Sequence, residues 1–308
     1  MLFLSLLFFS IGIGIFLWGI FTITKGLSLI SNEKMSSLMN RFAGNLIKSI
    51  FVGIVITTIL QSSSMVTVIT VTMANAGLLD IKSASGIIMG SNIGSTIAVQ
   101  LYAFNLFKLA PFMVLIGSVF SFQKCSTKLK ITGNATLGFG LVFYGLKIME
   151  LSLSSFKDTG MQFLNTNLSN TFRGIFVGIV LALILQSSNP AIAVLQVLVS
   201  SRLISLNHAL PIIYGLNIGT CSEAFILSFA SNKEGKKIAY FNILLNIWGT
   251  LLFLPFTQLF ARLLEALSPF NLSRQVANAH TLFNLFSVIA ILPFMKIILK
   301  ALDKFIKK

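Results

Sequence analysis

Charge is scarce in this 308-residue chain. Only 10 % of its residues are Asp, Glu, Lys or Arg, and the acidic ones number 8. Soluble domains carry about a quarter charged residues. The shortage excludes an ordinary solvated surface. With 55 % hydrophobic residues and a mean hydropathy of +0.90, the chain reads as a polytopic membrane protein. Cysteine is nearly absent: Cys125 lies in a basic loop and Cys221 in an apolar segment. Neither has metal-ligand spacing, and two such residues form no disulfide framework. The chain has no Rossmann glycine fingerprint, no P-loop and no HExxH. The apolar stretch Met1–Thr24 lacks the positive n-region of a signal peptide, so it is expected to stay as a first span. Basic residues are plentiful by contrast, and the net charge is +15. They fall in the connections between apolar segments and do not interleave with aromatics. That pattern speaks for loops beside anionic lipid and against nucleic acid.

What is present is a polar tetrapeptide inside an apolar run, twice. Gln61-Ser62-Ser63-Ser64 interrupts residues 47–77, and Gln186-Ser187-Ser188-Asn189 follows 125 positions later. Lipid offers a polar group no partner. Small polar residues can simply pack helices together, but matched copies in paired repeats point to a binding site. Each half of the 47–77 run holds about 13 residues, or ~20 Å of helix, too short to cross alone. A re-entrant hairpin with its tip near the midplane fits.

Other landmarks recur at nearly the same offset. Phe51-Val52-Gly53-Ile54-Val55 returns as Phe176-Val177-Gly178-Ile179-Val180. Gly90-Ser91-Asn92-Ile93-Gly94-Ser95-Thr96 returns as Gly215-Leu216-Asn217-Ile218-Gly219-Thr220-Cys221. Gly12, Gly14 and Gly19 return as Gly138, Gly140 and Gly145. This is an internal duplication. The expected fold is all-α and polytopic, with two inverted repeats, each holding a re-entrant hairpin and a broken helix. Repeat one spans 1–125 with its hairpin at 47–77 and a further span at 105–122. Repeat two spans 126–308 with its hairpin at 172–201, and adds two C-terminal spans near 236–260 and 278–299. The glycine-rich stretches at 90–96 and 215–221 are expected to break their helices. Positive-inside counting puts the C-terminus in the cytoplasm and the N-terminus outside. With hairpins that return to their own side, repeat one crosses an odd number of times, so repeat two is inverted.

The paired QSSS-type tips and the paired Asn-Ile-Gly stretches, with Ala279-His280-Thr281-Leu282-Phe283-Asn284, resemble the sodium-dependent phosphate cotransporter family. The resemblance covers roughly residues 10–300. It implies a sodium-coupled phosphate symporter of the cytoplasmic membrane that works by alternating access, not an enzyme. Many bacterial relatives carry a soluble helical regulatory domain after the membrane part, and this chain is expected to lack it. It departs from the family pattern at Asn189-Pro190, at Ser91 and Ser95, and at Glu223.

The residues suit that reading. Each hairpin's second helix begins at its tip, where free N–H groups and the positive end of the dipole favour an anion. Ser62, Ser63, Ser64, Ser187, Ser188 and Asn189 are assigned to phosphate. No Arg or Lys stands at the tips, as suits a carrier that must release its ligand. Sodium needs oxygen ligands, and Gln61, Gln186, Asn92, Asn217, Thr96 and Thr220 are assigned to it. Either group could serve either ion. Glu223, a carboxyl in an apolar segment, is a candidate ion or proton site. No cofactor is expected beyond sodium as coupling ion. The implied partners are inorganic phosphate, sodium and the bilayer, without nucleic acid; a homodimer stays open, as do stoichiometry and direction. The alternatives are phosphate export, another oxyanion or proton coupling. More distant are a channel and an intramembrane hydrolase using Ser62–Ser64 with His280.

Overall fold

The computed structural model describes residues 2–27, 37, 39, 44–104, 106–122, 126–153, 164 and 166–306. Most of residues 28–43 fall outside them, as do Cys125, Lys124 and the tail lysines Lys307 and Lys308. Every described element is helical. In order they are α1 (Leu2–Leu27), α2 (Leu46–Leu60), α3 (Ser63–Asn75), α4 (Ile81–Tyr102), α5 (Ala110–Phe122), α6 (Thr127–Ser152) and α7 (Thr171–Leu185). Then come α8 (Ser188–Ser200), α9 (Leu206–Gly219), α10 (Ser222–Phe229), α11 (Lys233–Phe253), α12 (Thr257–Leu267), α13 (Leu272–Ile291) and α14 (Met295–Phe305). Among the described residues, five stretches are long and apolar enough to cross a bilayer, or six if α4 and α5 act as one span. The protein is a helical membrane protein. The hairpin helices α2, α7 and α8, with 15, 15 and 13 residues, fall short of a crossing.

The duplication holds down to residue boundaries. α2 and α7 are offset by 125 at both ends, and so are α3 and α8. Equivalent side chains cap their starts: Asn45 Oδ1 accepts from Lys48 N, and Asn170 Oδ1 accepts from Phe172 N and Arg173 N. Asp80 caps α4 through Ser83 N at 2.8 Å.

Within each repeat the first hairpin helix lies against the glycine-rich helix at backbone distance. A Cβ on Gly53 would come 3.0 Å from Gly90 Cα, and one on Gly94 would come 2.6 Å from Ile54 O. The second copy repeats this with Gly178 against Gly215, at 2.9 Å, and with Gly219 against Ile179 O, at 2.8 Å. Missing side chains let helix backbones meet, and dispersion then holds them where lipid gives no hydrophobic drive. One further layer exchanges its parts. Gly86 faces Ser49 in the first copy, and Gly174 faces Pro211 in the second.

This packing corrects one expectation. α4 runs as a single helix through Gly90–Thr96 and does not break there. The glycines admit α2 instead of unwinding the chain. In the second copy the helix does break, between Gly219 and Ser222, just after the predicted stretch begins to lose its glycines. The 105–122 segment is also shorter than expected: a 3₁₀ turn at Phe107–Leu109 leads into the 13 residues of α5. The two C-terminal spans each bend at a Leu-Pro-Phe 3₁₀ turn, Leu254–Phe256 and Leu292–Phe294. Each continues as an amphipathic 11-residue helix, α12 or α14. Lys237 of α11 holds Asp303 of α14 at 2.5 Å, so the last helix is tied back to the bundle.

α1 and α6, equivalent helices at an offset near 126, pack on each other along their length. Gly12 meets the backbone of Gly145, and Gly19 meets that of Gly138. Contacts of low with high residue numbers make the pair antiparallel. They are also reciprocal, because Gly138 and Gly145 are the counterparts of Gly12 and Gly19. Such self-matching contacts are the mark of a two-fold relation.

Candidate functional site

The two tips share an unusual backbone. Gln61 has φ 55° and ψ 22°, and Gln186 has φ 50° and ψ 22°. Both are left-handed, a conformation that costs a residue with a Cβ roughly 1–2 kcal/mol. Of the described non-glycine residues, only Arg202 also has positive φ. Next to each glutamine stands an extended serine, Ser62 or Ser187, and then a helix starts. A left-handed glutamine followed by an extended serine turns the chain so that the new helix presents its N-terminus.

At the first tip, Ser62 Oγ accepts from Met65 N at 3.2 Å, which leaves the hydroxyl proton to donate elsewhere. The N–H groups of Ser63 and Ser64 are first-turn donors that a helix cannot satisfy within itself. Gln61 Nε2 donates to Thr58 O at 2.6 Å, while Gln61 Oε1 is buried with no hydrogen-bond partner. At the second tip Ser188 and Asn189 are buried, and Asn189 Oδ1 likewise has no partner. Pro190 sits in the first turn of α8, where no backbone donor is needed. Each tip thus offers donors beside a buried oxygen that no protein group fills. Gln186 differs from its counterpart, since it is exposed.

The residues assigned to sodium use their hydrogens locally. Thr96 Oγ1 donates to Ile93 O at 2.8 Å, and Thr220 Oγ1 to Asn217 O at 2.9 Å. A hydroxyl that spends its proton this way turns its lone pairs outward, as a cation ligand must. Ser95 does the same toward Asn92 O. Asn92 Nδ2 is buried without a partner. The Asn217 side chain has one protein partner at each polar atom, which leaves an Oδ1 lone pair open. Its Nδ2 donates to Ile213 O, and its Oδ1 accepts from Asn284 Nδ2 at 3.3 Å.

Each hairpin's second helix crosses to the other repeat. α3 packs against α10 and α11, and α8 packs against α4. α10, which carries Glu223, packs against α3, whose first turn carries Ser64. The fold therefore brings the first tip to the second break. No hydrogen bond joins the two tips among the described residues. His280 is fully buried, and neither ring nitrogen has a partner, so no hydrogen bond couples it to a tip serine.

Asn246, a polar residue of the 236–260 span expected to hydrogen-bond helices together, and Asn284 of the Ala279–Asn284 element brace this region. Asn246 of α11 donates to Cys221 Sγ at 3.2 Å, and Asn284 of α13 holds Asn217. Both sit beside the second break. Asn246, Gly249 and Leu254-Pro255-Phe256 recur as Asn284, Ser287 and Leu292-Pro293-Phe294, 38 residues on. Gly249 lies against Ser287, so the two copies meet where they match.

Comparison with known proteins gives one consistent family. The family model described as Na+/Pi-cotransporter matches twice, over residues 15–151 and 152–272. The uncharacterized protein YqeW of Bacillus subtilis (strain 168) is 30 % identical over 293 residues, 94 % of each chain. The provisionally named inorganic phosphate export protein YjbB of Salmonella typhimurium is 23 % identical over 99 % of this chain. The chain spans 56 % of that relative's length. Sodium-dependent phosphate transport protein 2A of Oryctolagus cuniculus is 47 % identical over 58 residues, 19 % of this chain and 9 % of its own. No solved structure matches. With two successive family matches covering most of its length, this chain belongs to the Na+/Pi-cotransporter family.

Proposed function

We propose that the protein is a sodium-coupled carrier of inorganic phosphate in the cytoplasmic membrane. The observation that carries the reading is the matched pair of tips: a left-handed glutamine, an extended serine and an open helix N-terminus, twice. Ser62, Ser63, Ser64, Ser187, Ser188 and Asn189 donate to phosphate oxygens. Gln61, Gln186, Asn92, Asn217, Thr96 and Thr220 supply oxygens to sodium. Glu223, on the helix packed against α3, is the group through which a proton or second cation would enter the cycle. The reciprocal, antiparallel contact of α1 with α6 supports inverted repeats, with one hairpin entering from each face. Alternating access then needs only one repeat to rock against the other. The N-terminus is outside and the C-terminus cytoplasmic.

A second reading is net export, favoured by the name of the relative YjbB. A carrier runs in whichever direction its gradients dictate, so both readings share one site. Labelled-phosphate uptake into proteoliposomes tests them. An inward sodium gradient is expected to drive accumulation that a matched potassium gradient does not. Equal movement under sodium and potassium would remove sodium coupling, and no phosphate movement by folded protein would remove the substrate.

A further inference from the structure

One cation in the apolar region is not part of the site above. Arg274 stands in the first turn of α13 and is only partly exposed. No carboxylate pairs with it among the described residues. Its guanidinium lies 4.2 Å from the centroid of the Phe104 ring, and its Nη1 donates to Gln100 Oε1 at 3.4 Å. A guanidinium held by a neutral amide and an aromatic face keeps its full charge for an anion.

Gln100 connects it inward. Gln100 Nε2 donates to Asn278 Oδ1 at 3.0 Å and to Thr281 Oγ1 at 2.9 Å. Arg274, Asn278 and Thr281 stand at i, i+4 and i+7 and share one face of α13. On α4, Gln100, Thr96 and Asn92 are spaced four apart and share a face too. The two polar faces lead from the end that carries the α12–α13 connection toward the residues assigned to the ions. Asn92, Gln100, Asn278 and Thr281 are all partly exposed, and the hydrogen bonds of Gln100 make a polar seam between the two helices.

A cavity of about 360 Å³ lies at the start of α13, with Tyr102, Lys147, Glu150, Gln196 and Ser273 in its lining. Gln196 is 2 % exposed, and its Oε1 has no partner. Its Nε2 is fixed by Val99 O at 3.1 Å and Ser273 O at 3.3 Å. Lys147 in the same lining is already paired with Glu150 at 2.9 Å. Arg274, the neighbour of Ser273 in sequence, has no acidic partner among the described residues.

We propose that the polar seam between α4 and α13 opens as the half-channel by which the anion reaches the tips from one face, with Arg274 as its capture residue. The inference rests on the proposed function. Gln100, Asn278 and Thr281 pass an oxyanion inward by hydrogen bonds. Arg274 touches the anion in transit and not at the tips. Its effect on KM is therefore confined to one side of the membrane.

Membrane vesicles of both orientations provide the test, with phosphate presented to one face at a time. Arg274→Gln is expected to raise KM about tenfold for phosphate on the Arg274 face, the scale of one charge-assisted contact. KM at the opposite face should stay within about twofold. Transport from that face loses maximal rate instead, because without a gradient a carrier must show equal Vmax/KM in both directions. Arg274→Lys should keep most of the wild-type behaviour. KM changes of equal size at both faces would mean a structural role and overturn the assignment, as would no change at either face. Wild type that moves no phosphate would overturn the proposed function and this inference with it. Active wild type with an indifferent Arg274→Gln would overturn the inference alone.

Discussion

Gln61 and Gln186 hold a conformation that glycine would adopt at lower cost. A strained residue repeated at equivalent positions points to a side chain kept for its chemistry. Gln61→Gly should therefore leave thermal stability unchanged or raised by about 1 kcal/mol, while lowering phosphate uptake at least tenfold. A melt combined with an uptake assay checks both halves. If uptake survived, Gln61 would be a turn residue only. Arg202 supplies the contrast. It has φ 60° where its counterpart Gly77 has φ 71°, and both close a helix with a six-residue-ring bond, Leu203 N to Leu198 O and Leu78 N to Met73 O. Arg202→Gly should stabilise the protein by roughly 1 kcal/mol without changing transport. The tips were legible in the sequence because polar residues in an apolar run have so few explanations. The strain at Gln61 and Gln186 was not, since glutamine gives no local hint of positive φ.

At the scale of elements, glycine decides the packing. Gly90 and Gly215 each face a helix backbone, whereas a Cβ on Gly14 would meet nothing within 4 Å. Gly90→Ala and Gly215→Ala should each cost about 1–3 kcal/mol by overpacking. Gly14→Ala should be neutral or stabilise by up to about 1 kcal/mol. Thermal unfolding in detergent separates the three variants. The same residues explain where reading the sequence succeeded and where it failed. Where hairpins were expected, at 47–77 and 172–201, helix pairs run over 46–75 and 171–200. Their ends are set by capping residues and polar tips, which are local signals. The continuity of α4 is set by Gly53 on another helix, and nothing within 90–96 announces that partner. Local propensity favoured a break, and packing overrode it. The Leu-Pro-Phe bends were readable, but their 38-residue spacing is masked by the longer repeat.

For the whole molecule, inversion is the property on which alternating access depends. Lys82 and Asn207 are exposed second residues of α4 and α9, 125 positions apart. In a Cys125→Ser background, Lys82→Cys should react with a membrane-impermeant maleimide from the cytoplasmic face and Asn207→Cys from the outer face. Labelling of both from one face would make the repeats parallel. We propose that the two tips form one shared site for phosphate and sodium. Sodium-driven phosphate uptake by wild type, Gln61→Ala, Gln186→Ala and the double variant tests it most directly. A shared site predicts that each single substitution lowers uptake nearly as far as both together. Single variants that each keep about half the wild-type rate, with losses that add in the double variant, would mean two independent sites and contradict the account.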